Sequence, residues 1–306
     1  MKKAVVIFNP KSGISKKIDQ TLENSIKKVF SEYNYEVKII FTKYKGHAEA
    51  LLPELEPNID LVMSFGGDGT FNEVITGNVQ RQKPLTIAHI PSGTANDIGT
   101  MYGYGKNMLN NIRLALEGEV KEIDVCTINN QPFVYVAGYG NYTAVSYDTK
   151  RELKKYLGYL AYIIRAAKEI FTKQKFHHIK YEVNGEKYEG LFSLVLITNA
   201  TRVGGIDNIY DNVKLDDDAF EVLFCTLQKK TDILKTIMML THKEINSVPG
   251  LCFYKTNKLK MTISNPDAWT LDGEKYKRRT TRYEIKNSYK VNVLMPKKNI
   301  SKLFTD

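Results

Sequence analysis

The fold is decided by the stretch LVMSFGGDGTFNEV, which occupies residues 61–74. An apolar run enters this stretch, three glycines lie within four residues, and a helical pattern leaves it. Glycines let a backbone pass close to a ligand, since no side chain intervenes. A strand, a glycine turn and a helix N-terminus together favour anions, because the amide groups and the helix dipole point the same way. The stretch therefore predicts a phosphate site; the alternative is a tight strand-to-helix turn with an Asp cap.

The glycine stretch differs from the common phosphate-binding motifs. It fits neither G-x-x-x-x-G-K-[ST] nor G-x-G-x-x-G, and it contains no lysine. A phosphate bound here needs its charge offset by a metal or by basic residues elsewhere. Asp68 repels a phosphate unless this carboxylate holds a metal, directly or through water, or handles a proton. Asp68 is therefore a candidate for catalysis.

Composition sets broad limits on the function. The 306 residues suggest two domains, and 42% hydrophobic with 25% charged residues is ordinary for a folded protein. A net charge of +10 suits a nucleotide, a polyanion or an anionic membrane surface without choosing among them. Three widely spaced cysteines form no metal-ligand pattern and indicate a reducing compartment, so we expect a cytoplasmic protein. No segment approaches the roughly 20 apolar residues of a membrane span.

The first 124 residues have the pattern of a parallel α/β domain. Predicted strands over 4–8, 35–41, 59–65 and 85–90 alternate with helical patterns, which favours right-handed crossovers. Such sheets bind ligands beyond the carboxyl ends of their strands. Four segments fall at those ends: 9–13, Thr42, 66–70 and 91–97. This convergence predicts a phosphate site more strongly than any single loop does.

The second domain, over 125–291, reads as an antiparallel β-sandwich. Strand candidates lie at 133–140, 177–183, 188–198, 220–227, 258–264, 269–271, 282–287 and 289–294. Asn184-Gly185 predicts a hairpin turn. Helices are predicted over 150–176 and 232–241. The first has a basic face, which suits a solvated helix packed on a sheet or a surface that approaches anionic lipid.

Two stretches of this second domain carry candidate chemistry. The sequence KLDDDAF at 214–220 is either a solvated acidic turn or an oxygen-rich site for a hard cation. The sequence WTLDGE at 269–274 has the Asp-Gly pair of a hairpin turn.

Three blocks taken together resemble the diacylglycerol kinase catalytic family, which includes soluble bacterial lipid kinases and, more distantly, sphingosine and ceramide kinases. They are G-G-D-G-T-x-N-E-V at 66–74, S-G-T-A-N-D at 92–97 and N-P-x-S-G at 9–13. The resemblance implies a two-domain lipid kinase with ATP in the cleft between the domains. It also implies that segment 292–306 returns to the first domain.

The resemblance assigns roles residue by residue. The implied nucleotide contacts are Asn9, Pro10, Lys11, Ser12, Gly13, Thr42, Gly66, Gly67, Asp68, Gly69, Thr70, Phe71, Asn72, Glu73 and Thr94. Asp68 and Asp97 line the site. In the segment L-D-G-E, Glu274 matches the proton acceptor and Asp272 a supporting acidic group. A structural Mg²⁺ is implied at the Asp217 side chain and the carbonyls of Lys214 and Ala219. Asp218 stands where the family has a glycine, which often supplies a positive φ angle.

We therefore expect an ATP- and Mg²⁺-dependent lipid kinase that converts diacylglycerol to phosphatidate at a membrane surface, with peripheral membrane contact. Alternative acceptors are phosphatidylglycerol or a sphingoid base, and NAD kinases also carry G-G-D-G-T. A nucleotide-binding regulator without catalysis is a further alternative, which loss of Glu274 or Asp68 would have favoured. No nucleic-acid motif accompanies the dispersed basic residues, so we expect no nucleic-acid partner. A homodimer is compatible with the sequence.

Overall fold

The computed structural model describes residues 1–12, 20–141, 175–207, 210, 212–226, 250–276 and 279–305. The chain divides into two compact units. Unit 1 comprises residues 1–123 and 289–306, and unit 2 comprises residues 124–288. The helix predicted over 232–241 lies outside the described residues, as does the helix predicted over 150–176 except for its last two residues.

Unit 1 alternates strands and helices in the order expected of a parallel α/β fold. Its elements are β1 (Lys2–Phe8), α1 (Gln20–Glu32), β2 (Tyr35–Phe41), α2 (His47–Leu51), a 3-10 turn (Leu52–Glu54), β3 (Leu61–Gly66), α3 (Asp68–Val79), β4 (Ile87–Pro91), α4 (Asp97–Met101) and α5 (Met108–Leu116). The first residues of β5 (Glu119–Ile128) also belong to it. Residues 289–306 add the end of a long strand, a 3-10 turn (Lys297–Asn299) and α6 (Ile300–Leu303).

The sheet of unit 1 is parallel, as the sequence predicts. β1 lies between β2 and β3, and β4 follows β3, with every one of these pairings parallel. Continuous apolar runs form β1 and β3, and both strands are buried along almost their whole length. In α1, Ile26, Val29 and Phe30 are buried at steps of three and one, which places them on the face that packs on the sheet.

Unit 2 is an antiparallel sandwich, which confirms the predicted fold class. Its strands are the rest of β5, β6 (Gln131–Phe133), β7 (Val136–Gly140), β8 (His177–Val183), β9 (Glu186–Phe192), β10 (Leu194–Thr198), β11 (Arg202–Val203), β12 (Ile206–Asp207), β13 (Phe220–Cys225), β14 (Leu251–Thr256), β15 (Lys258–Ile263), β16 (Thr270–Leu271), β17 (Glu274–Lys275) and the first part of β18 (Arg282–Met295). One sheet has the order β14-β13-β10-β7-β16-β17. The other contains β8, β9, β15 and the first part of β18.

The core of unit 2 is aromatic. Trp269, Tyr139 and Phe224 are almost fully buried in one cluster with side chains from both sheets. The Trp269 ring packs on Tyr139 with centroids 5.2 Å apart, and on Tyr283 at 5.4 Å. Such rings bury much apolar area and stabilise the packing of the two sheets.

Several predicted strands differ in detail from the observed ones. The strand predicted over 133–140 is divided between the end of β6 and β7. The strand predicted over 188–198 is two strands, β9 and β10, because the chain turns at Ser193. The strands predicted over 282–287 and 289–294 form the single strand β18. β14 was not predicted. Among the described residues no helix is both long enough and apolar enough to cross a membrane.

Candidate active site

Hydrogen bonds join the three loops at the carboxyl ends of β1, β3 and β4. The Asn9 amide donates to the Phe65 carbonyl at 2.9 Å, and the Ser92 amide donates to the Gly66 carbonyl at 2.7 Å. The Ser12 and Ser92 hydroxyl oxygens lie 2.8 Å apart, within hydrogen-bond distance. The convergence expected from the sequence is therefore present within unit 1.

Two glycines of this loop cluster, Gly67 and Gly93, pack directly on each other. A Cβ built on Gly93 would lie 2.5 Å from the Gly67 Cα, and a Cβ on Gly66 would lie 2.3 Å from Thr70 Oγ1. Both distances are far below van der Waals contact, so neither glycine tolerates a side chain. The result is a cradle of bare backbone at the start of α3, which is the chemistry that a phosphate group requires.

Side-chain amides make the cradle rigid. Asn9 donates from Nδ2 to Thr70 Oγ1 at 2.9 Å and accepts at Oδ1 from the Lys11 amide at 3.0 Å. Asn96 adopts a left-handed backbone conformation with φ of 53°, which asparagine tolerates better than most residues. It exchanges two hydrogen bonds with Gly93, at 2.7 and 2.9 Å. These bonds fix the loop before any ligand arrives.

Asp68 ties two helix starts together. It is the first residue of α3, and its side chain is buried. Its two carboxylate oxygens accept from the Asp97 and Ile98 amides, each at 3.1 Å. Burial and the nearby Asp68 charge raise the pKa of Tyr102. Asp68 therefore joins the start of α3 to the start of α4.

Several residues of the predicted nucleotide set have evident structural roles. Glu73 accepts from the Gly46 amide at 2.8 Å and the Ala48 amide at 3.3 Å, and burial raises the pKa of this carboxyl. The Phe71 ring is fully buried against His89, so Phe71 can offer a ligand only its backbone.

The other members of the predicted set lie at the same edge of the sheet or outside the described part. The Thr42 amide donates to the Phe8 carbonyl at 2.8 Å, directly after β2. Gly69 and Asn72 lie in the first turns of α3, and Pro10 and Thr94 lie in the loops after β1 and β4. Gly13 lies outside the described residues. The nucleotide-binding role of the set stays a prediction.

The predicted Asp-Gly hairpin is present in unit 2. Asp272 and Gly273 both have positive φ angles, 46° and 82°, which is the two-residue type I′ turn that joins β16 to β17. The Asp272 side chain is buried, and its carboxylate accepts from three consecutive amides, those of residues 134, 135 and 136, at 2.7, 3.0 and 2.9 Å. Glu274, two residues on, is exposed. Asp272 therefore fixes the turn, and Glu274 is an exposed residue directly after it.

The acidic loop at 214–219 has the backbone geometry that the resemblance implies. Asp218 has a φ of 59°, the left-handed conformation for which a glycine is usual. Its amide donates to Asp124 Oδ2 at 2.7 Å, which anchors the loop to β5. Sequence reasoning missed Asp124, although a carboxylate inside the apolar end of a strand is the signal that could have found it.

The same loop does not fit a magnesium ion at Asp217. Its Oδ2 lies 2.5 Å from the Lys255 Nζ, and its Oδ1 accepts from the Ala219 amide at 3.2 Å. An ammonium in contact with the only side-chain ligand of the predicted set repels a divalent cation. In the described part of the chain no three acidic, histidine or cysteine side chains are grouped as metal ligands. Burial raises the pKa of the neighbouring Glu221 to about 7, against the opposing effect of Lys255.

Comparisons with known proteins agree with the arrangement of unit 1. Residues 3–128 match the model of the diacylglycerol kinase catalytic domain family. A diacylglycerol kinase of Bacillus subtilis strain 168 is 29% identical over 313 residues, covering 99% of each chain. A diacylglycerol kinase of Staphylococcus saprophyticus is 27% identical over 274 residues, covering 89% of each.

A solved structure supports the same fold for the whole chain. The crystal structure of a diacylglycerol kinase from Bacillus anthracis Sterne aligns with a TM-score of 0.76 at 22% identity, covering 98% of each chain. Residues 3–128 therefore resemble a diacylglycerol kinase catalytic domain, and this match together with the relatives supports a lipid kinase of the diacylglycerol kinase-like class.

Proposed function

We propose that the chain transfers the γ-phosphoryl group of ATP to the free hydroxyl of diacylglycerol, which yields phosphatidate. The observation that carries this proposal is the backbone cradle at Gly67 and Gly93, together with the family of residues 3–128. The names of the relatives from Bacillus subtilis and Staphylococcus saprophyticus favour diacylglycerol as the acceptor.

The cradle favours unit 1 as the side that binds the phosphoryl donor. Gly67 and Gly93 pack directly on each other because neither has a side chain, and we expect phosphate oxygens to bind at the first amides of α3 beside them. The hydrogen bonds between the loops hold this geometry, so the loops need little rearrangement when the nucleotide binds. Magnesium bound with the nucleotide supplies positive charge to the transferring phosphoryl group. Asp68 and Asp97, both buried beside the cradle, are the carboxylates that would hold it through water.

The hairpin favours unit 2 as the side that acts on the acceptor hydroxyl. A lipid hydroxyl is a poor nucleophile at neutral pH, and a carboxylate within hydrogen-bond distance orients it and accepts its proton. Glu274 is the exposed carboxylate on the turn that Asp272 holds. Asp272 cannot take this role itself, because three amides already bind its oxygens in a buried site. Asp272 is thus a positioning residue for Glu274.

The lipid acceptor implies contact with a membrane surface. Diacylglycerol stays in the bilayer, so the enzyme must approach that surface to reach the hydroxyl. The net charge of +10 favours such contact with anionic lipid. Peripheral association of a cytoplasmic enzyme is therefore part of the proposal.

The test is a γ-phosphate transfer assay on mixed micelles. The purified chain receives labelled ATP, Mg²⁺ and one acceptor, either diacylglycerol, phosphatidylglycerol or sphingosine, with NAD in a parallel reaction. Label in phosphatidate supports the proposal. Label in another lipid would mean that this lipid, and not diacylglycerol, is the acceptor. Label in NADP would overturn the assignment as a lipid kinase. Nucleotide binding without any transfer would support the regulator alternative.

A matched pair of variants tests the base. Glu274→Gln removes the proton acceptor while keeping the shape of the side chain, and we expect kcat to fall about 10²- to 10⁴-fold. Glu186→Gln is the control, because Glu186 directly follows the Asn184-Gly185 turn, which has the same type I′ geometry in the same unit. Equal activity of the two variants would remove Glu274 from the mechanism.

A further inference from the structure

The acidic loop at 214–219 needs a positive charge, and the chain supplies one. Asp217 is mostly buried, with 15% of its side chain exposed, and Glu221 on β13 is 3% exposed. The Lys255 Nζ lies 2.5 Å from one of these carboxylates and 3.9 Å from the other, and buried carboxylates destabilise a fold unless a cation compensates their charge. We propose that the Lys255 ammonium is the resident cation of this loop and replaces the divalent ion that the resemblance implies.

Strand register delivers the ammonium to the loop. In the antiparallel pair β13-β14, Glu221 and Lys255 are direct cross-strand partners. Opposite charges at such paired positions stabilise a sheet. Because β13 begins directly after the acidic loop, the same register also carries the Lys255 side chain to Asp217. The lysine is therefore placed by the sheet and not by a flexible surface contact alone.

The oxygens around Lys255 match the donors of an ammonium group. An ammonium group has three hydrogen-bond donors. The Lys255 Nζ lies 2.5 Å from Asp217 Oδ2, 3.4 Å from the Asn212 carbonyl oxygen and 3.9 Å from Glu221 Oε1. The set combines two carboxylates with a backbone carbonyl, which is the mixture that hard cations also prefer. A Mg²⁺ ion instead demands six oxygens in octahedral geometry, and the ammonium already contacts the Asp217 carboxylate.

Backbone and side-chain hydrogen bonds anchor the acidic loop without a metal ion. Leu215 accepts from the Asp124 amide at 2.6 Å, and Asp124 Oδ2 accepts from the Asp218 amide at 2.7 Å. These contacts hold the loop on β5, and the lysine completes the charge balance at its other end. Folding of unit 2 is then independent of Mg²⁺, whereas the transfer reaction still needs it.

The experiment uses the full chain without nucleotide or lipid, so its result does not depend on the proposed function. Thermal unfolding and hydrogen exchange of peptides covering 212–226 and 251–256 are measured in EDTA and in excess Mg²⁺ at equal ionic strength. For the wild type we expect the same unfolding midpoint and the same exchange in both buffers. A lower midpoint in EDTA, with faster exchange in these peptides, would overturn the proposal even if no variant folds.

Lys255→Met removes the internal cation and keeps the stem of the side chain. We expect this variant to unfold earlier in EDTA and to regain protection of these peptides, about tenfold or more, in Mg²⁺. Lys258→Met is the control, because Lys258 is an exposed lysine on β15 whose Nζ lies 3.0 Å from Glu284. The Lys258→Met variant should have the same unfolding midpoint and the same exchange in EDTA and in Mg²⁺. If Lys255→Met folds with unchanged midpoint and exchange in EDTA, the ammonium is not the resident cation.

Discussion

The carboxylate of Asp272 offers the sharpest test of how the structure positions its candidate base. Asp272→Asn places a donor NH₂ where the carboxylate accepts the Val134 amide at 2.7 Å. If the remaining oxygen stays on the Tyr135 and Val136 amides, one charge-assisted bond is lost and one buried donor faces another donor. A bond to a charged group contributes about 1.5–3 kcal/mol, so we expect the turn to lose about 2–3 kcal/mol.

Hydrogen exchange measures this loss where it occurs. A chain with two compact units need not unfold in a single step, so a global midpoint would blur a local effect. We expect the amides of residues 134–136 to exchange roughly 30- to 150-fold faster in Asp272→Asn, by the conversion of about 1.4 kcal/mol per factor of ten. The kinase activity should fall with them, because Glu274 follows the same turn.

Asp60→Asn provides the matched control for this exchange measurement. Asp60 is an exposed carboxylate that accepts one amide, from Lys3 at 2.7 Å. Its replacement should cost less than about 1 kcal/mol, because water can replace the lost bond. Unchanged exchange at residues 134–136 in Asp272→Asn would refute the reasoning, since the three bonds would then contribute nothing to the turn.

Three further outcomes follow from unit 1. Gly93→Ala should abolish transfer because its Cβ would lie 2.5 Å from the Gly67 Cα. Gly105→Ala is the control and should keep its activity, because the nearest atom to its Cβ would be 4.0 Å away. Equal kcat/KM values for the two variants would argue against the cradle. Asp68→Asn should weaken the hydrogen bond from the Ile98 amide and speed amide hydrogen exchange in α4. An unchanged exchange rate would disprove this expectation. Burial lowers the pKa of His89 from 6.5 to about 3. The unfolded chain therefore binds the proton first, and unfolding free energy should fall by about 3 kcal/mol between pH 7 and 4. His89→Gln should lose that part of the acid sensitivity in urea titrations, and an identical pH dependence would contradict it.

Much of the fold was accessible from the sequence because local signals agree with the tertiary structure. β2 and β8 begin and end at the predicted residues, since apolar periodicity and flanking turn residues coincide there. The Asn184-Gly185 and Asp272-Gly273 turns were accessible for the same reason: their φ angles are positive at both central positions. Strand bounds and turn conformations of this kind are determined by residues that are neighbours in the sequence.

The candidate site was only partly accessible because its key contacts join distant segments. Nothing near Asp272 in sequence indicates that its carboxylate binds amides 136 to 138 residues away. The contact of Lys255 with Asp217 depends on a strand register that no local pattern specifies. Buried roles for Phe71 and Glu73 also depend on neighbours that the sequence does not display. The resemblance supplied the residue set, and the structure divides it into backbone cradle, anchors and core.

The order of segments in unit 1 has a consequence for synthesis. Val293 on β18 pairs in parallel with Ile87 on β4, and Met295 packs against Gly118, yet residues 289–306 leave the ribosome after the whole of unit 2. Unit 2 is continuous and can fold while translation proceeds. Until then β4 has an unprotected edge, which is a site for aggregation of nascent chains. A chain released early therefore lacks a strand of unit 1, so translation must pass residue 295 before the loops at Gly67 and Gly93 have their complete support.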